Sequence, residues 1–342
     1  MSTPAIKAKW VPALVFLNVW VGILLGGCGR GSEIPLGCAS GDKVPKAVRN
    51  EVVAAAEAVY ERMAGGRWQE IYDDAAEAVR KQRTADQFLT PMAQVARRIG
   101  TPRDAAVDYI SVVRFGERFP YRLEVECDVE GADGPAVLLL ADHPVQATLV
   151  QTAVIGGEVF FFSTLWHRDN ELWKLAGFFA KPASWAGKGW KEYEEEATAQ
   201  RLAKNFRNSA LLYNVAIDLV VPNVWVKPPE VLTLERKQGR LNVTDLPIGE
   251  AVIWISAPDT FKVLKVAYDL VPNQLGVSFQ YEAGGSADTT AQAAYADRLC
   301  AYIRENFPAY SEVFSTYSLL ATDPANPQNV VRRTYPAVGN RR

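Results

Sequence analysis

Histidine is almost absent from this chain: two occur in 342 residues, at positions 143 and 167. That scarcity narrows the general-base options, because histidine is the side chain whose ordinary pKa lies nearest neutral pH. Cysteine is also sparse, with four in the chain and no Cys-x-x-Cys or Cys/His cluster, so the spacing of a structural zinc site or a thioredoxin-like motif is missing. There is no Gly-x-Ser-x-Gly, no phosphate-binding P-loop, no His-Glu-x-x-His and no Gly-x-Gly-x-x-Gly. The formal net charge is only −2, and no basic stripe marks a nucleic-acid footprint. A fully apolar run of about 20 residues, the length a spanning helix needs, is missing too.

What is present begins at the N-terminus. Met1 to Trp10 carries Lys7 and Lys9 and no acidic residue. Val11 to Leu25 is apolar apart from Asn18, a length that suits the hydrophobic region of a signal peptide. Leu25-Gly26-Gly27-Cys28 follows. This order resembles the lipobox of bacterial lipoproteins, although Gly26 stands where Ala or Ser is commoner. The resemblance covers residues 1–28. It implies cleavage between Gly27 and Cys28 and lipidation of Cys28, including a palmitate-type acyl chain. It also implies attachment to the membrane of a bacterial cell envelope. Gly29 rather than Asp after the cysteine leans toward the outer membrane, facing the periplasm. The other reading of this segment is an uncleaved anchor, since Trp10 to Gly27 just spans a bilayer if tilted.

Cys28 to Val44 is rich in Gly and Ser and reads as a flexible tether of about 55 Å at full stretch. In it Cys38 is expected to be exposed, with Cys127 and Cys300 as buried thiols. Residues 45–185 read as a first α+β domain. Val48, Val52, Ala55, Ala56, Val59 and Met63 form one helical stripe that Gly65-Gly66 stops. A second helix is expected over Trp68–Val79. Thr84 and Gln87 have the capping-box spacing for a third, which closes at Gly100. From Phe119 to Glu130 the period changes to two, apolar residues alternating with charged ones, as in a strand buried on one face. Further strands are expected at 108–115, 137–140, 147–155, 159–165 and 171–179.

Helices followed by a curved antiparallel sheet, with Gly66-x-Trp68, Tyr72 and Thr84-x-x-x-Phe88, resemble the NTF2-like (cystatin-like cone) superfamily over about residues 45–182. That resemblance implies a cone whose cavity holds Asp, Tyr or His in enzymes of the isomerase or dehydratase type. Asp108 and Tyr109, at the start of a strand, are the residues such a pocket would use. His143, between strands, and His167, at an expected hairpin tip, read as exposed turn residues. Phe160-Phe161-Phe162 must place rings on both faces of its strand. Cover for the second face is expected from the segment around Trp185 and Trp190.

Residues 186–222 read as a helical bridge broken near Asn205 to Asn208, similar to half a tetratricopeptide repeat and suited to docking an envelope protein. Pro222, Pro228 and Pro229 mark a linker. Residues 228–325 read as a smaller α+β domain with strands at 231–235, 251–255, 261–270, 275–281 and 311–321 and a helix over 290–306. Residues 326–342 read as a flexible tail. Gly284-Gly285-Ser286 reads as a turn, and the sequon Asn242-Val243-Thr244 carries no weight. The fold class is thus α+β. The expected function is binding or scaffolding on a membrane, with no catalytic residue, cofactor, metal or nucleic-acid partner. The alternative is a small-molecule binder or enzyme using the cone.

Overall fold

A computed structural model describes residues 34–338 except 117–122, 130–131, 133, 141–142, 242, 244–245, 284–288 and 324–325. Cys28, the cleavage position at Gly27, Gly284-Gly285-Ser286 and the ends of the sequon lie outside the described residues. The architecture is mixed α and β with largely antiparallel sheets. The described residues form one compact unit.

The first difference from expectation comes at once. Residues 34–44 are built into the fold rather than left as tether. β1 (Gly37–Ser40) pairs antiparallel with β2 (Ala106–Arg114), and Ile34 and Val44 are buried. Cys38 is joined to Cys127 by a disulfide, with their Cα atoms 5.6 Å apart. The sequence offered no sign of this pair, because the partners stand 89 residues apart. Cys300 is the buried free thiol that its helical position suggests.

The helices precede the sheet. α1 (Lys46–Ala64) buries the stripe from Val48 to Met63. The expected second helix is two pieces, α2 (Trp68–Asp73) and α3 (Glu77–Gln82). It breaks because the Ala76 N–H leaves the helical pattern and donates to Leu175 O at 2.9 Å. α4 (Ala85–Arg98) opens on the Thr84–Gln87 capping box. These helices cover one face of the sheet β1-β2-β5-β6-β7, in which β5 is Val145–Ile155, β6 Glu158–Asp169 and β7 Leu172–Pro182. Phe88, Met92, Phe162 and Trp166 fill the space between helices and sheet. A second, small sheet holds β3 (Leu123–Asp128) and β4 (Pro135–Leu140). Its interior face meets the disulfide in a cluster with Val113, Leu138 and Leu140.

After the short pair β8 (Ser184–Trp185) and β9 (Lys188–Gly189) come α5 (Trp190–Leu202) and α6 (Phe206–Val220). The break near Asn205 is where the sequence puts it. The hairpin is no separate bridge, because Tyr193, Leu212, Tyr213 and Ala216 share one core with the C-terminal sheet. The proline-marked linker carries β10 (Val226–Lys227), a third strand on the small sheet beside β4. The strand expected at 231–235 is a helix, α7 (Pro229–Gly239). The β-branched Val231 and Thr233 also suit a strand. However, Pro229 and Glu230 sit in the first turn, where helices favour them, and Val231 and Leu234 bury one side at i, i+3 spacing.

The last sheet has the order β11-β12-β13-β14-β15. β11 is Ile248–Ser256, β12 Asp259–Val271 and β13 Gln274–Glu282. α8 (Thr289–Asn306) crosses to β14 (Thr316–Asp323), which lies parallel to β13 as a crossover helix allows. The strand expected at 311–321 starts as a helical turn, α9 (Tyr310–Val313). The expected tail is instead largely an edge strand, β15 (Asn326–Pro336), whose backbone pairs antiparallel with β14. Among the described residues no helix is long and apolar enough to cross a membrane.

Candidate functional site

Strand β6 alternates. Phe160, Phe162, Thr164 and Trp166 face the helices, while Phe161, Ser163, Leu165 and His167 face the other way. That second face is covered, as the three phenylalanines require, but not from where the sequence suggests. Ser163 Oγ donates to Pro222 O at 3.3 Å, so the cover is the Pro222–Trp225 segment. Trp185 and Trp190 pack on the C-terminal core instead.

A cleft of about 1250 Å³ opens on this face. One wall is α3, from Glu77 to Arg83. Another is Leu139 and Leu140 of β4 with Val224 and Trp225, and the floor is Leu165, His167 and Ala176–Phe178. Two irregularities shape it. The β6–β7 register shifts after Leu165, so Ala176 has no opposite residue and β7 bends. At Gly177 a β-carbon would lie 2.7 Å from Trp225 Cζ2, so glycine is what lets the indole close the wall. Gly177→Ala is expected to push Trp225 outward and cost about 1–3 kcal/mol, as overpacking does. Thermal unfolding and Trp225 fluorescence check this.

The cleft also brings the chain's two histidines together. Their rings stack at 4.3 Å between centroids and 13° between planes. His143 is half-buried in the turn before β5. Its Nδ1 lies 2.8 Å from Val145 O and its Nε2 2.9 Å from Asp169 Oδ1. Both partners accept, so a ring carrying protons on both nitrogens satisfies both. The neutral Nε2–H ring keeps the Asp169 bond and accepts from Val145 N–H at 3.3 Å. Asp169 Oδ2 accepts from the Glu77 N–H at 3.2 Å, which joins the end of β6 to the start of α3. Burial works to raise the Asp169 carboxyl. The bonds from Glu77 N–H and His143 outweigh it and hold the group below the usual carboxylate range.

His167 is the opposite case. It is 4% exposed, and both ring nitrogens are buried without a hydrogen-bond partner. Burial, reinforced by His143 and opposed by Asp169, pushes its imidazole down to about 4. Near neutral pH it is therefore an uncharged ring with one donor and one acceptor unused.

These positions correct the reading of both histidines as exposed. His167 lies inside β6, and the hairpin turn falls on Asn170 and Glu171, both at positive φ. The inward parity of Leu165 and His167 was the one signal in the sequence, and the longer strand hid it. Asp108 sits exposed at a bulge in β2, and Tyr109 packs on the small cluster around Cys127. The structure brings neither to the cleft. Among the described residues the lining holds no Ser, Thr, Tyr or Cys side chain that a histidine would activate. Among the described residues no group of three or more His, Cys, Asp or Glu is set to hold a metal ion. No protein-family model, curated protein or solved structure matches this chain.

Proposed function

We propose that this protein is a lipid-anchored binding protein of the bacterial envelope, which holds a small organic ligand in the two-histidine cleft without turning it over. The observation that carries the binding role is His167, a buried imidazole in the cleft floor with neither nitrogen partnered. An unpaired buried polar group costs about 1–3 kcal/mol, so its retention points to use. The engagement of both His143 nitrogens favours holding over catalysis.

Anchoring through Cys28 is supported by Leu25-Gly26-Gly27-Cys28. The Cys38–Cys127 disulfide supports export, since such bonds persist in oxidising compartments. Helices on one face of an antiparallel sheet support an NTF2-like first half. Gly29 supports the periplasmic face of the outer membrane as the location.

Two experiments test the reading. Radiolabelled palmitate is expected to enter the wild-type protein and not Cys28→Ala, and equal labelling would refute the anchor. With only two histidines, histidine-specific ¹⁵N labelling yields a two-residue spectrum. Pools of small organic compounds are expected to shift the His143 and His167 signals, and a spectrum unmoved by every pool would refute the binding role. A second reading, docking of an envelope protein on the α5–α6 hairpin, is favoured by Leu202 and Phe206, both exposed at its turn. A photo-crosslinker at Leu202 that captures no protein in intact cells would refute it.

A further inference from the structure

We propose that the ligand of the two-histidine cleft is an amphiphilic lipid, taken from the membrane on which the protein is anchored. The inference rests on the anchored-binding reading above and adds the ligand's class and source.

The argument from position starts at Cys28. Ile34 is already buried in the folded body, and six residues reach at most about 20 Å. β1 adds no slack, because it is hydrogen-bonded to β2 and its Cys38 is tied to Cys127. On the anchored reading, Ile34 therefore lies within about 20 Å of the lipidated cysteine. Sheet register then relates this anchored edge to the cleft. Cys38 pairs with Val113, Val113 with Gln146, and Gln146 with His167. The four residues form one row across the sheet, so His167 lies three strand spacings, about 14 Å, from the strand that follows the anchor. Asp169, His143 and the start of α3 gather at this same end.

The argument from chemistry agrees. The cleft exceeds the roughly 300–1000 Å³ usual for drug-sized ligands. Leu140, Leu165, Phe178 and Trp225 give it an apolar lining. At its lips Leu139 is 46% and Val224 63% exposed, two aliphatic side chains that water solvates poorly. The lining sets Lys81 and Arg83 against Glu77, Glu124 and Asp169, so it is nearly balanced in charge, with Lys81 paired to Glu77 at 2.6 Å. Such a balance suits an uncharged or zwitterionic headgroup, beside which the His167 imidazole keeps a donor and an acceptor unused. An acyl chain fits the apolar walls.

The test uses the full lipidated protein in vesicles of phosphatidylethanolamine and phosphatidylglycerol. The vesicles carry a trace of lysophosphatidylethanolamine with a photoreactive acyl chain, and labelled peptides are mapped by mass spectrometry. Label is expected on the peptides holding Leu139–Leu140 and Val224–Trp225. Leu139→Glu and Val224→Glu, both on exposed positions that tolerate a charge, are each expected to cut labelling about tenfold. Ile255→Glu, 71% exposed on the far sheet, is expected to leave it unchanged. Label spread over the surface, or indifferent to the two lip variants, overturns the proposal. Label in the cleft from the same probe offered free in solution but none from vesicles overturns the membrane as the source. Histidine signals that move with water-soluble compounds, together with no lipid labelling, overturn this inference and leave the binding function standing.

Discussion

Replacing Cys38 and Cys127 together by alanine is expected to lower the unfolding free energy by about 4 kcal/mol. The bond links residues 89 apart in sequence, and the chain-entropy model gives about 3 kcal/mol for a short loop and about 4.7 kcal/mol for one of roughly 100 residues. In the folded state it ties β1, an edge strand of the five-stranded sheet, to β3 of the small sheet. Cys127 is fully buried among Val113, Leu138 and Leu140, so losing its sulfur also loosens that cluster. Urea unfolding followed by tryptophan fluorescence should show wild-type protein in reductant behaving like the double variant. A difference below about 1 kcal/mol between oxidised wild type and the variant would mean that the folded protein does not depend on this bond.

Acid should weaken the fold first through His167. His167 stays uncharged down to about pH 4, whereas an unfolded chain protonates it near its ordinary value of about 6.5. Between these two values the unfolded state binds the extra proton, so stability falls as pH falls. The gap between these two values corresponds to about 3 kcal/mol, present in full above the upper value and lost by the lower one. His167→Phe keeps a flat ring beneath His143 and removes the proton site. Its stability is expected to change far less across that window in urea titrations at matched pH. An identical slope in both proteins would show that His167 is not the acid-sensitive group. Asp169 adds a separate loss at lower pH, as its depressed carboxyl is finally protonated and the bonds from Glu77 and His143 fail.

Local patterns predicted well where they depended on near neighbours. The stripe from Val48 to Met63, the Thr84–Gln87 box, the break near Asn205 and the alternation of the central strands all describe residues within a turn or two of each other. Prediction failed where a distant partner outweighed the local pattern. Ala76 gives its N–H to Leu175, and the expected second helix breaks there. The expected tether becomes β1 because β2 has an open edge for it. Val231 to Glu235 holds β-branched residues that suit a strand but follows two prolines that start a helix. Asp108 and Tyr109 were placed by analogy with a cone cavity, while the interior on the helix side is filled by Phe162 and Trp166.

By itself the sequence determined the α+β class, most helices and strands, and the residue types available for chemistry, because hydrophobic period and capping act over a few residues. It also carried the Cys28 motif, which needs no fold to be read. Only the tertiary structure decided that Cys38 finds Cys127, that His143 stacks on His167, and that Gly177 makes room for Trp225. Each of these depends on strand register and turn geometry between residues far apart along the chain. A shift of one residue in β6 would turn His167 into the helical core and leave the cleft without its polar floor.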